Sequence, residues 1–305
     1  MKLKEPLIYK IRKVKVFDGP GVAKVAVSGD WHISPIVSER QFEILSQAFS
    51  KIQPELIVLQ GDLMDSPEQF DNSDSIQKLR RWFRMCVSFA PTVMVLGSHD
   101  YIVPGKAGQV DEAALGRWGE ICHETGVKLL NDAWYETEHI RVFGMYQGPE
   151  YVLTPDKRHE NNPEIFEEKL LKLGSDLKKD GKKVNWFVAH APDMTKKAEK
   201  MLSGWFDVAS FGHTHGGCLP LGIDSVVDKV GRHGGLVSPT LKPFPSNVRG
   251  VRRFSGLTFI VNAGMVATQN CAPKATQYLN FAKAAEIDEV IIGQKILTRV
   301  IINNN

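Results

Sequence analysis

Five times along this chain an apolar run of strand length stops at glycine or alanine and then delivers an aspartate or a histidine. The runs are V-A-K-V-A-V-S before Gly29 and Asp30, E-L-I-V-L-Q before Gly61 and Asp62, and T-V-M-V-L before Gly97, Ser98, His99 and Asp100. V-N-W-F-V-A runs into His190, and F-D-V-A-S-F runs into Gly212, His213, Thr214 and His215. A helical pattern lies between the first two runs, so they read as a βαβ unit with parallel strands. Parallel strands bring their carboxyl ends to one edge of a sheet, where ligand and catalytic groups gather. One polar strand end is an ordinary turn or cap. Five of them on one rim make a site.

The remaining pattern supports an α/β chain. Ile8 to Phe17 alternates apolar and basic residues like an edge strand protected by its charges. Ser38 and Gln41 form a capping box for a helix carrying Phe42, Leu45, Phe49 and Ile52, which ends before Pro54. A second amphipathic helix covers Ser75 to Phe89, and a third runs from about Asp111 to Thr125, closed by Gly126. Val127 to Gly144 holds two short strands, V-K-L-L and I-R-V-F-G. Asn162 and Pro163 start a charged helix extending to about Lys179, and another begins near Asp193. Residues 218–256 show no periodicity and read as a loop or cap insertion. L-T-F-I-V-N resumes the sheet, and E-I-D-E-V-I-I with K-I-L-T-R-V-I-I reads as a closing hairpin.

Composition narrows the class. The 305 residues are 43% hydrophobic and 24% charged, as in ordinary globular proteins, and no Pro/Gly/Ser-rich linker divides them, so residues 1–305 read as a single domain. The net charge of +3 is too small to indicate nucleic-acid binding by itself. Cys86, Cys122, Cys218 and Cys271 are scattered without a C-x-x-C pair and read as reduced thiols. The N-terminus lacks the pattern of a signal peptide, and no apolar run is long enough for a membrane span, so the expected location is cytoplasmic. Nothing in the sequence bears on oligomeric state.

Carboxylates and imidazoles packed together are costly unless a cation sits among them. A metal ion meets that need, and a set of Asp and His without thiolate suits Mn²⁺, Fe or Zn²⁺. D-W-H at Asp30, G-D-L-M-D at Gly61, G-S-H-D at Gly97, His190 before A-P, and G-H-T-H-G-G from Gly212 resemble, in order and spacing, the five motifs of the calcineurin-like metallophosphoesterases. The glycine-extended last motif is similar to bacterial and phage phosphodiesterase-like members.

The resemblance implies that family's four-layer fold, in which two mixed β-sheets are sandwiched together and flanked by helices, and a hydrolase acting on a phosphate-ester substrate. It also implies two divalent metal ions, manganese first, with iron, zinc or nickel as alternatives. Asp30, His32, Asp62 and His215 would hold one ion; Asp62, Ser98, His190 and His213 would surround the other. Asp62 would bridge them together with a hydroxide. His99 would face the leaving oxygen and Asp100 would accept a hydrogen bond from its imidazole, while Asp65 would support its loop. The chain departs from the family at Ser98, where an Asn amide is expected, because a serine hydroxyl is shorter and a poorer ligand. Lys229, Arg232, Lys242, Arg249, Arg252 and Arg253 concentrate positive charge after the last motif, and Arg232, His233, Arg249 and Arg252 are the substrate-binding candidates. A phosphodiesterase is the expected activity. The alternatives are a DNA or RNA nuclease of the same family and a metal-binding scaffold weakened by Ser98.

Overall fold

The computed structural model describes residues 9–17, 21–104, 106, 109–152, 162–174, 177, 181–218, 248–266 and 284–293. Its strands and helices follow in the order β1 (Tyr9–Val16), β2 (Gly21–Ser28), α1 (Glu39–Ile52), β3 (Leu56–Leu59), α2 (Ser73–Phe89), β4 (Thr92–Met94), α3 (Glu112–Thr125) and β5 (Lys128–Leu129). They continue with β6 (Ala133–Glu136), β7 (Ile140–Gly144), α4 (Pro149–Val152), α5 (Pro163–Leu173), β8 (Val184–Val188), α6 (Lys196–Trp205), β9 (Val208–Phe211), β10 (Gly250–Phe254), β11 (Leu257–Val261) and β12 (Ala285–Gly293).

Two mixed six-stranded sheets form, in the orders β1-β12-β2-β3-β4-β5 and β10-β11-β9-β8-β7-β6. The expected sandwich follows from the apolar faces. Val25, Val27, Val58, Val93 and Val95 of the first sheet pack on Val142, Val184, Trp186, Val188 and Ile260 of the second. The first sheet's other face carries Ile57, Leu59 and Met94 against Leu45, Phe49, Phe83 and Trp118 of α1 to α3. The second sheet's outer face sets Phe143, Phe187 and Phe259 against Phe166 of α5 and Leu202 of α6. The result is α/β/β/α layering.

Local chemistry explains the helix ends. The Ser38 hydroxyl accepts from the Arg40 amide, the Asn72 side chain accepts from Asp74 and Ser75, and Asp111 accepts from Ala114. Each meets an amide that the first helical turn leaves unpaired. Gly126 closes α3 at φ 83°, a left-handed conformation that glycine adopts without strain. The charged helix after Asn162 stops at Leu173, short of the expected Lys179. Cys86 and Cys122 are buried free thiols, and Cys271 lies outside the described residues. No helix among the described residues is long and apolar enough to cross a membrane.

Two expectations need correction. β12 is not one arm of a hairpin: it lies between β1, in parallel register from Tyr9↔Ala285 to Val16↔Ile292, and β2, antiparallel from Asp288↔Val27 onwards. Both its edges are occupied, which leaves no room beside it for a returning strand; the expected second arm, K-I-L-T-R-V-I-I, lies outside the described residues. The end of the expected cap is also sheet, because Gly250–Phe254 pairs with β11 from Gly250↔Val261 to Phe254↔Leu257. Residues 219–247 lie outside the described residues.

Candidate active site

The five polar strand ends converge. Asp30 and His32 follow β2, Asp62 follows β3, Ser98 to Asp100 form a single 3-10 turn after β4, His190 follows β8, and His213 and His215 follow β9. Each of these strands is buried over most of its length, and the chain turns sharply at its end. Asp30, His32, Asp62, His213 and His215 have φ between 48° and 71°. They are five of the nine non-glycine residues with positive φ among those described, so left-handed backbone is concentrated at this rim. Aspartate and histidine tolerate that conformation better than most residues, but each still costs on the order of 1 kcal/mol or more. Such strain persists only where surrounding contacts hold it, and it is typical of functional loops.

The side chains fall into two groups. Asp30, His32 and His215 offer ligand atoms that all lie within 4.8 Å of one another, and Asp62, His190 and His213 do the same. Asp62 joins them: its Oδ2 lies 3.0 Å from His190 Nε2 and 4.0 Å from His32 Nε2, while Oδ1 accepts from the His99 amide at 2.9 Å. His32 and His215 stack at 5.1 Å, and His215 Nε2 is 3.9 Å from Asp30 Oδ1. The backbone fixes which ring nitrogen faces inward. His190 Nδ1 lies 2.6 Å from the Gln60 carbonyl and His215 Nδ1 lies 2.9 Å from that of Val266, leaving each Nε2 for the cluster. Metal-binding histidines are commonly oriented this way by the hydrogen bond of the second nitrogen.

These groups fit metal ions. Ligand atoms about 2.0–2.2 Å from one ion are at most about 4.4 Å apart, so sets this compact can close on one. His190 Nε2 also stands 3.2 Å from His213 Nδ1, and with His190 Nδ1 donating to Gln60 only a cation reconciles those two nitrogens and Asp62. In the metal-free chain that cation is a proton. Burial opposes it, but the Asp62 carboxylate outweighs burial and pushes His190 up to about 9. Burial, followed by the His190 charge, lowers His213 to about 4. Burial also acts to raise Asp62, yet His190, His99 and His32 together hold its carboxyl well below the usual range. A divalent ion would supply more positive charge at the same place.

A family model for calcineurin-like phosphoesterases matches residues 23–217, which include all five motifs. The chain belongs to that family. It is therefore a metal-dependent phosphoesterase, a hydrolase of phosphoric ester bonds. An uncharacterized metallophosphoesterase of Aquifex aeolicus (strain VF5) is 23% identical over 214 residues, 69% of this chain and 69% of that protein. Among solved structures, TT1561 of Thermus thermophilus aligns with a TM-score of 0.45 at 11% identity, covering 80% of this chain and 90% of that one. A dimetal phosphatase from Danio rerio aligns at 0.42 and 10% identity, covering 81% and 88%.

The residues around the two groups differ in part from expectation. Asp100 does not orient His99. Its carboxylate is fully buried and turned into the loop after β3, where Oδ1 accepts from Leu63 and Met64 amides at 2.9 and 3.0 Å and Oδ2 accepts from Gly97 at 2.8 Å. Burial, then the Asp62 charge, pushes Asp100 up to about 7. The His99 ring is held instead by the Asp65 carbonyl, 2.8 Å from Nδ1, and the Asp65 carboxylate lies 3.5 Å from His32 Nδ1. Ser98 is half-buried between Gly97 and His99, and its carbonyl accepts from the Ile102 amide.

Of the substrate candidates, Arg249 is buried beside the last motif. Its Cδ is 3.8 Å from where a Cβ on Gly216 would stand, and the Thr214 hydroxyl donates to the adjacent Val248 carbonyl. Arg252 is elsewhere: it pairs with Glu199 of α6 at 3.1 Å and lies over Phe259 on the outer face of the second sheet, because strand alternation directs it away from the inter-sheet side. Arg232 and His233 lie outside the described residues. Sequence reading missed Gln147, whose amide accepts from Ala191 N–H at 2.7 Å and donates to Ala191 C=O at 3.0 Å, bracing the residue after His190. Tyr101 in turn donates to the Gln147 carbonyl. A lone glutamine after a strand carries no signal that would have singled it out.

Proposed function

We propose that the chain is a phosphodiesterase in which Asp30, His32, Asp62 and His215 hold one divalent ion and Asp62, Ser98, His190 and His213 hold a second. The observation that carries this reading is the position of Asp62 Oδ2, between His190 Nε2 and His32 Nε2, where one carboxylate serves both groups. Two such ions, when bound, acidify water and neutralise the charge on phosphoryl oxygens. Manganese is the first candidate because oxygen and imidazole donors without thiolate suit it.

His99 acts at the leaving group. With Nδ1 committed to the Asp65 carbonyl, Nε2 is the atom available to substrate, and in the protonated ring it gives its proton to the departing alkoxide. Burial, aided by the neighbouring His32 charge, lowers the His99 pKa, which makes the imidazolium a stronger acid. Arg249, beside Gly216, is suited to hold a phosphate oxygen. Gln60, Val266 and Asp65 contribute carbonyls that keep the three rings in place.

Metal analysis and turnover of bis(4-nitrophenyl) phosphate with Mn²⁺ test the reading. Two ions per chain and turnover are expected, and Ser98→Asn should raise activity or metal affinity by restoring an amide oxygen. One ion or none, with no turnover, would refute it and leave the scaffold alternative. Cleavage of DNA or RNA that collapses with added salt would identify the nuclease alternative instead.

A further inference from the structure

A buried polar network lies at the back of the site. Arg12 of β1 donates from Nε to Asp288 Oδ1 at 2.6 Å and from a terminal nitrogen to Asp288 Oδ2 at 2.8 Å and the Val261 carbonyl at 3.0 Å. Its other terminal nitrogen is 3.2 Å from Glu286 Oε1, and Lys10 is 2.9 Å from Glu286 Oε2. Asp288 and Glu286 are both buried. A buried ion network is weak evidence for stability, since apolar side chains of similar volume often do as well. What distinguishes this one is where the two carboxylates make their remaining bonds.

Asp288 Oδ2 accepts from Asn262 Nδ2 at 2.9 Å, and Glu286 Oε1 accepts from the Ala263 amide at 3.0 Å. Asn262 Oδ1 accepts from the Gly264 amide at 2.7 Å, and the Gly264 carbonyl accepts from the Glu286 amide at 3.1 Å. Residues 262–264 are thereby held at both side-chain and backbone level. This loop is the rear wall of one ligand group. A Cβ on Gly264 would lie 2.7 Å from Asp30 Cβ, one on Gly216 would lie 2.6 Å from Ala263 Cβ, and two residues on, the Val266 carbonyl holds His215 Nδ1.

We infer that Arg12, Asp288 and Glu286 are positioning residues for the ion held by Asp30, His32 and His215, acting through the loop from Asn262 to Val266. All three lie outside residues 23–217, so the family-defining segment does not contain everything that shapes its own ligand group. The inference rests on the two-ion reading above.

The test is Mn²⁺ titration of the full chain, followed by electron paramagnetic resonance, for the wild type, Arg12→Lys and the Arg12→Met/Asp288→Leu pair, with melting temperature measured on each metal-free protein. The apolar pair removes the fork and its main acceptor together, which keeps volume and charge balance. Of its two cations Glu286 keeps only Lys10 in this pair, so the protein should fold but melt below the wild type, while affinity at one of the two manganese sites falls about 10- to 100-fold. Arg12→Lys keeps the charge without the fork, so it should recover part of that affinity, and it carries the test if the pair does not fold. Wild-type affinity at both sites in Arg12→Lys and in the folded pair would overturn the inference with the two-ion reading intact. A wild-type chain that binds no Mn²⁺ would sink both.

Discussion

Gly264→Ala is the sharpest perturbation the site offers. Gly264 has φ +72°, and a methyl group there would stand 2.7 Å from both Asp30 Cβ and Asp30 Oδ2, against the 3.4 Å at which ordinary contact begins. The left-handed conformation costs an alanine about 1–2 kcal/mol. The overlap adds to this, because relieving it moves Asp30 by about 0.7 Å, the difference between 3.4 and 2.7 Å. Asp30 cannot swing aside cheaply: the close atom is the root of its side chain, and its Oδ1 accepts from the His213 amide at 3.1 Å. Overpacking of this kind costs about 1–3 kcal/mol. A displacement approaching 1 Å in a reacting geometry lowers rate by up to about 10²-fold.

Gly256→Ala supplies the control, since Gly256 has φ +79° in the β10–β11 turn with nothing within 4 Å of the added methyl. Both variants should lose stability in urea. Only Gly264→Ala should also lose Mn²⁺ affinity and tens-fold or more in kcat/KM on bis(4-nitrophenyl) phosphate. Equal and unchanged kinetics in the two variants would refute the claim that Gly264 is reserved for the Asp30 carboxylate.

Three further outcomes are expected. His99→Ala should slow hydrolysis of a diester with an alkyl leaving group by about 10²–10⁴-fold and affect a 4-nitrophenyl diester far less, because nitrophenolate departs without a proton; equal losses on both would remove His99 from the leaving-group role. Asp100→Asn places an amide donor among the three N–H groups of Leu63, Met64 and Gly97, which should cost about 1–3 kcal/mol in denaturant unfolding, with the pH–rate limb of His99 unmoved; a shifted limb would restore the Asp100–His99 contact. Glu286 is pushed up by burial, but Arg12 and Lys10 outweigh this and lower it from 4.5 to about 2, so its stabilisation is complete above pH 4.5 and lost as the pH falls towards 2. The difference between 4.5 and 2 corresponds to about 3 kcal/mol, and Glu286→Gln should therefore be less stable than the wild type near pH 7, with the gap closing between pH 4.5 and 2; parallel stability curves would contradict this.

The site is legible in the sequence because its candidate ligands stand at strand ends, where a change from apolar to polar is abrupt and local. Asp30, Asp62, His190 and His213 can be found one at a time without knowing what lies beside them. What is hidden depends on direction or on distance. Within the turn from Ser98 to Asp100, no pattern tells which way each side chain points. Asp100 faces three backbone amides, and the acceptor for His99 is the Asp65 carbonyl, supplied by the loop after a different strand. Arg252 and Arg253 interrupt the alternation that would have marked Gly250–Phe254 as a strand. The pairing of β12 with β1 joins distant parts of the chain, as Arg12 and Asp288, 276 positions apart, show, and nothing local records it.

That pairing also sets an order of events during synthesis. β1 emerges long before β12, yet β12 is its hydrogen-bonding neighbour in the sheet and stands between it and β2. At about 5–20 residues per second, roughly 15–55 s separate the two strands on the ribosome. In the last part of that interval, once His215 has been made, the chain holds every one of its candidate ligands but lacks the strand that anchors the wall behind Asp30. The nascent chain can gather its aspartates and histidines before β12 exists, and it can close them into a rigid cage only once β12 has emerged.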